Sequence, residues 1–296
     1  MAEMKIATAA YPLDWFDTWA DYEAKLRGWV SEAAGQGANL LVFPEYGAME
    51  LASLAGAEVA ADLKGSISAV SERVAQSNAV LAGLAREFGV YILGGSAPVA
   101  EGGKVVNRAP FFGPDGGMDH QDKQIMTRFE RDEWGVSGGG ALKVFETALG
   151  KIGVLICYDS EFPLLGRTLV EAGVEVILVP SCTEALEGYW RVRIGAMARA
   201  LEGQCVCAMA SLVGKRPEIF AVEETTGMGG VFGPPDMGFP ATGVIGEGQL
   251  GVAGWTYAEI DTEVVRAVRA DGHVLNMTHW QEQSPRAIPP RPVVLR

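Results

Sequence analysis

Three residues in this chain pair a reactive side chain with a place at the end of an expected strand. Cys157 closes the run Lys151-Ile152-Gly153-Val154-Leu155-Ile156, and the acidic turn Tyr158-Asp159-Ser160-Glu161-Phe162-Pro163 follows at once. A thiol at the C-terminal lip of a buried strand is held rigidly and faces a crevice, where α/β proteins place ligands and chemistry. A helix beginning near Pro163 would turn its dipole and free N–H groups toward that thiol, favouring a thiolate or a developing oxyanion. The competing reading is a small buried hydrophobe, which most free cysteines are.

A cysteine nucleophile needs a base and an oxyanion stabiliser. Histidine is the usual base, but the chain has only His120, His273 and His279, and the last two fall in a loop-like stretch. Glu45 is the better base. It ends Leu40-Leu41-Val42-Phe43-Pro44, so two parallel strands ending on one edge would bring it beside Cys157. Burial there raises a carboxylate's pKa toward the range where it shuttles protons. Lys123, after Asp119-His120-Gln121-Asp122, could set its ammonium against an oxyanion. Taken singly, Glu45 reads equally well as a turn cap and Lys123 as a solvated surface residue.

They do not stand singly. Phe43-Pro44-Glu45, Asp122-Lys123 with Glu130 seven residues on, and Cys157-Tyr158-Asp159 before Phe162-Pro163 form an ordered set. That set resembles the nitrilase superfamily of carbon–nitrogen hydrolases. Lys5-Ile6-Ala7, Val179-Pro180-Ser181, Tyr189-Trp190 and Ala198-Arg199-Ala200-Leu201-Glu202-Gly203-Gln204 extend the likeness over nearly the whole chain. The resemblance implies a Glu-Lys-Cys triad. Cys157 would attack an amide-like carbon and form a thioester, with Glu45 as proton carrier. Lys123 and the backbone N–H of Tyr158 would hold the oxyanion, and Glu130 would orient Lys123.

Tyr158-Asp159 after the cysteine looks like the amidase and carbamoylase branches, which implies a small carboxamide or N-carbamoyl substrate and release of ammonia. Nitrile hydrolysis is the alternative chemistry, and a silent binding or scaffold protein is the alternative class. No cofactor or metal is expected. Tyr46, Trp134, Cys182, Thr183 and Tyr189 flank the triad-bearing segments and are candidate pocket residues. Arg128, Arg131 or Arg191 could meet a substrate carboxylate. Many family members carry His two residues after the lysine, whereas this chain has Ile125. By resemblance, a homodimer is expected.

The elements that must position these residues alternate from the start. Strands are expected at Met4–Ala10, 39–44, Val90–Pro98, 142–146, up to Cys157, Val174–Pro180, 205–211, 229–232, 242–245 and Val252–Ile260. Helices are expected at 18–34, 66–88, 162–172, 190–203 and 262–270, from apolar residues recurring at helical spacing. Pro114-Asp115-Gly116-Gly117 joins two extended segments, 104–112 and 118–122, into a hairpin. Residues 124–141 read as a long loop. Helices from βαβ units plus hairpins imply a mixed sheet. The fold class is α/β: a four-layer α-β-β-α sandwich, with a plain three-layer fold as the other possibility. One domain is expected over 1–280, with a tail at 281–296 packed on the domain or on a partner subunit.

At 296 residues and 48% hydrophobic composition the chain supports a large core. A formal charge of −13 argues against nucleic acid or an anionic membrane as partner. No apolar run reaches membrane-spanning length, and the first residues lack a signal peptide's layout. The four cysteines, at 157, 182, 205 and 207, show no disulfide or zinc spacing. Cys205 and Cys207 are expected on opposite faces of one strand. A cytoplasmic, reduced setting is expected.

Overall fold

The computed structural model describes residues 4–295; Met1–Glu3 and Arg296, the outer ends of the expected domain and tail, lie outside the described residues. Strand β1 (Met4–Pro12) shows how the layers are built. Met4 and Ile6 join one apolar cluster, while Ala7, Ala9 and Tyr11 join another. In β2 (Leu40–Val42), Leu40 and Val42 share the first cluster and Leu41 the second. Alternating side chains therefore feed two cores, one on each face of the sheet.

The second core is closed by helices. Thr18 caps α1 (Trp19–Gly35) by accepting from the Asp21 N–H, and Tyr22, Leu26 and Val30 are buried along one stripe. After the short α2 (Ala57–Ala60), Asp62 caps α3 (Leu63–Phe88), which buries Ile67, Val70 and Leu81 and stops at Gly89 with φ 66°. Truncating one such buried Leu to Ala costs about 2–5 kcal/mol.

The remaining elements repeat this plan. Strands β3 (Tyr91–Leu93), β4 (Ala97–Glu101), β5 (Lys104–Phe112) and β6 (Met118–Asp122) follow, and β5 and β6 form the expected antiparallel hairpin. The stretch expected as a loop carries a single π-turn at Glu130–Trp134 and β7 (Val136–Ser137), so it is more ordered than its glycines suggested. Then come β8 (Phe145–Thr147), β9 (Gly150–Val154), α4 (Pro163–Glu171), β10 (Val176–Ser181), α5 (Leu186–Gly203) and β11 (Val206–Lys215). Short strands β12 (Glu224–Thr225), β13 (Gly230–Phe232) and β14 (Val244–Glu247) precede β15 (Gly254–Ile260), α6 (Thr262–Asp271) and α7 (Asn276–His279).

Hydrogen bonds link the strands in the order β4-β5-β3-β2-β1-β11-β10-β9-β8. β1, β2 and β3 are mutually parallel, as are β11, β10 and β9, and β1 meets β11 in parallel at Ala10–Pro12. The path curls so that its ends meet: the Phe111 and Phe145 rings lie 5.0 Å apart. Leu40, Leu93 and Phe111 thereby share a core with Ile152, Leu178 and Val231. With α1 and α3 outside one half and α4 and α5 outside the other, this is the four-layer sandwich. Its two sheets are halves of one hydrogen-bonded surface.

One expectation needs revision. Cys205 and Cys207 do not face apart: residues two positions on share a strand face, and the two thiols interact, with burial first and the Cys205 contact next in pushing the Cys207 thiol up. Just before the tail, Trp280 stacks on Arg167, 4.3 Å from its guanidinium carbon to the ring centre. Ile288, Val293, Val294 and Leu295 are exposed, so the apolar end of the tail does not pack on its own chain. Among the described residues no helix is long and apolar enough to cross a membrane.

Candidate active site

Parallel β2, β9 and β10 end on one edge, and the chain leaves each of them into the same cleft. Beyond β2, Pro44 accepts from the N–H groups of Gly47 and Ser96, folding the chain back at Glu45. Tyr46 takes a left-handed φ of 56°, and its N–H donates to Ser96 Oγ at 2.9 Å. A Cβ on Gly95 would sit 2.9 Å from Gly47 Cα, so this turn requires backbone against backbone.

Glu45 is 1% exposed and every oxygen is engaged. Its Oε1 accepts from Lys123 Nζ at 2.7 Å and from Asn107 Nδ2 at 2.9 Å, and its Oε2 accepts from the Cys182 N–H at 3.0 Å. Lys123 follows β6, its N–H tied to the Asn107 carbonyl at 2.9 Å. Its ammonium, also 1% exposed, donates a second time to Glu130 Oε2 at 2.6 Å. Glu130 opens the π-turn, where Thr127 donates to it from N–H and Oγ1 at 2.9 and 2.8 Å and the Tyr46 hydroxyl donates at 2.7 Å.

Cys157 opens a 3-10 turn (Cys157–Glu161) directly after β9, with a left-handed φ of 50°. A non-glycine residue held there carries backbone strain of about 1–3 kcal/mol, sustained only where the surroundings over-determine it. Here they do. Ser160 Oγ donates to the Cys157 carbonyl at 2.7 Å, and Arg199 Nη1 of α5 donates to the Ser160 carbonyl at 2.8 Å. The Asp159 carboxylate accepts from the N–H groups of Ile125 at 2.8 Å and Ile156 at 3.2 Å, tying the segment after Lys123 to the turn that carries the thiol. The thiol lies 3.7 Å from the Cys182 carbonyl and shares its cleft with Glu45. Among the described residues the Tyr158 N–H has no acceptor, which leaves it available.

Burial dominates the electrostatics. It pushes Glu45 up to about 7, although Lys123 pulls the other way. Burial would lower Lys123, but Glu45 and Glu130 outweigh it and hold the ammonium well above its ordinary range. Burial raises Glu130 too, yet Lys123 and the hydrogen bonds to its carboxylate leave it lowered. Burial, then the Glu45 charge, push the Cys157 thiol well up, so its resting form is the thiol. The helix α4 begins at Pro163, as expected, but the 3-10 turn Cys157–Glu161 lies between its N-terminus and the thiol.

Glu45, Lys123, Glu130 and Cys157 line a cleft of about 360 Å3, within the usual range for small-molecule sites. Tyr46, Trp134, Cys182 and Thr183 line it, as expected. Tyr189 does not: it is 1% exposed, its hydroxyl accepts from Arg193 at 3.0 Å, and α5 turns it into the core. Arg128 is exposed beside Asp132, Arg131 reaches the Met126 carbonyl and Arg191 pairs with Glu161 at 2.8 Å; none of the three lines the cleft. No histidine lines it either. Asn107, Asp159, Thr127, Phe129 and Glu184 are the site residues that motif reading missed. For Asn107 the signal was a lone amide alternating with the apolar Val105, Ala109 and Phe111 along one strand. Among the described residues no cluster of His, Cys, Asp and Glu is arranged to hold a metal ion.

Fold and cleft together define an α-β-β-α sandwich with a carboxylate, an ammonium and a thiol buried at one strand edge. Residues 5–270 match the model of the Carbon-nitrogen hydrolase family, and the chain belongs to that family. It is 32% identical over 271 residues to a probable hydrolase, YhcX, of Bacillus subtilis, covering 92% of this chain and 52% of that protein. The chain thus spans about half the length of that relative. It is 31% identical over 201 residues to the omega-amidase NIT2 of Danio rerio, covering 65% of this chain and 69% of that one. Among solved structures, Nit3 of Saccharomyces cerevisiae superposes with a TM-score of 0.70 at 21% identity, covering 90% of this chain and 93% of the other. An amidase from Nesterenkonia sp. AN1 superposes at 0.68 and 23% identity, covering 90% and 97%. These two likenesses establish the shared fold.

Proposed function

We propose that this protein hydrolyses the C–N bond of a small carboxamide through a Cys157 thioester. The observation that carries the reading is the Glu45 carboxyl, which accepts from the Lys123 ammonium and shares one cleft with the Cys157 thiol. Glu45 takes the thiol proton as sulfur attacks the carbonyl carbon. The oxyanion forms against Lys123 and the Tyr158 N–H, charge-matched donors in a dry site. Glu45 returns the proton to nitrogen, the C–N bond breaks and ammonia leaves. Water then gives a proton to Glu45 and attacks the thioester; the C–S bond breaks, and the sulfur recovers that proton. Glu130 holds the ammonium in place.

The amidase names of the relatives support an amide, or an N-carbamoyl compound, over a nitrile. Ammonia release from a panel of short amides, carbamoyl compounds and nitriles tests this. Cys157→Ala should lower turnover at least about a thousandfold, as removal of a nucleophile does. Wild-type protein inactive on the whole panel would sink the reading in favour of a silent scaffold. We further propose a homodimer: Leu164, Trp190, Ile194 and Leu201 on α4 and α5 and the apolar tail are exposed and await cover. Light scattering of the purified chain measures it. Four free cysteines support a reducing, cytoplasmic setting.

A further inference from the structure

The cleft walls carry an excess of negative charge. Glu184, on the segment between β10 and α5, is exposed and lines the cleft with Glu45 and Glu130, whereas Lys123 is the one cation in the lining. Three carboxylates less one ammonium leave a formal −2. Lys123 is also committed, donating to Glu45 and Glu130 at 2.7 and 2.6 Å. Among the described residues the Glu184 carboxylate has no ion-pair or hydrogen-bond partner. The lining also holds aromatic and apolar residues: Phe129 and Trp134, which meet edge to face at 5.7 Å, and Ala221 and Val222.

A substrate tail ending in a carboxylate would meet no free donor cation here and would shed its water against like charge. A protonated amine would meet an unpaired carboxylate, which attracts cations, in a cleft also lined by aromatic rings. Resting on the proposed amide hydrolysis, we infer that the substrate class is an amide bearing a protonated amine at the end remote from the scissile bond. Glu184 is the residue that selects it.

The test compares kcat/KM of the full chain on butyramide, its terminal amino derivative and its terminal carboxylate derivative, read as ammonia release. The amino derivative should exceed the carboxylate derivative by about tenfold or more, since a cleft with a net negative charge concentrates the opposite charge by such factors. Glu184→Gln should collapse the ratio of amino derivative to butyramide, and Glu184→Lys should invert the order of amino and carboxylate derivatives. Hydrolysis of all three with the carboxylate derivative equal or preferred overturns this inference alone. An unchanged ratio in Glu184→Gln also overturns it. Ammonia from none of the three overturns the hydrolase reading and the inference together.

Discussion

Asn107 donates to the Glu45 oxygen that also receives the Lys123 ammonium, at 2.9 Å, from the middle of β5. Its own Oδ1 accepts from Ser96 at 2.6 Å, so its amide orientation is fixed. A donor on the carboxylate favours the charged, basic form. Because burial sets Glu45 at about 7 and its ionised form is the base, kcat/KM should fall as pH drops below that value. Asn107→Leu removes the donor, so the acid limb should move to higher pH and turnover at neutral pH should drop about tenfold. A pH–rate profile of both proteins checks it; an unmoved limb would mean that Asn107 does not tune the base.

Iodoacetamide presents a carboxamide to the cleft, and its alkylation of Cys157 should outpace that of Cys182, Cys205 and Cys207. Cys205 and Cys207 are fully buried, and a raised thiol pKa keeps Cys157 slow toward reagents that do not bind the cleft. Glu45→Gln, which removes the proton acceptor, should slow the Cys157 reaction. Peptide mapping by mass spectrometry reads all four sites, and equal labelling would count against an activated Cys157.

Lys123→Met should leave Glu45 and Glu130 buried without their counter-charge and destabilise the fold by about 3–5 kcal/mol at neutral pH. In the wild type the lowered Glu130 pKa contributes stability above its unfolded value, lost as pH falls through the folded one. Without the ammonium both carboxyls titrate above their unfolded values, so the variant holds its stability under acid and loses it as pH rises. The deficit against wild type should therefore be larger at about pH 8 than at about pH 5. Urea denaturation at both values tests the sign.

Asp159→Asn turns one acceptor oxygen into a donor facing backbone N–H groups of Ile125 or Ile156. A lost buried hydrogen bond of this kind costs about 1–3 kcal/mol. The Cys157 turn should loosen relative to Lys123, lowering kcat more than it raises KM. Steady-state kinetics together with denaturation separate this positioning loss from simple unfolding.

Glu45, Lys123 and Cys157 were legible because each lies within three residues of a strand's end and carries a motif of its own. Glu130 was legible only through its distance from Lys123. Asn107 and Asp159 were not, since their roles depend on which strand lies opposite and which loop packs above, facts of three-dimensional pairing. Tyr189 was misplaced because the helix starts at Leu186, four residues earlier than periodicity suggested, and its register turns that ring inward. The charge of the cleft was equally hidden: Arg128, Arg131 and Arg191 stand near the site in the chain, yet all point elsewhere.

The parallel seam of β1 and β11 joins the half that carries Glu45 and Lys123 to the half that carries Cys157. Proton carrier and nucleophile are therefore aligned by main-chain hydrogen bonds across a continuous sheet, with no hinge between them. Such a reactive centre has no open and closed forms separated by a rigid-body swing. Heating should extinguish turnover and tertiary structure in a single cooperative transition, because neither half keeps a working geometry once the seam parts.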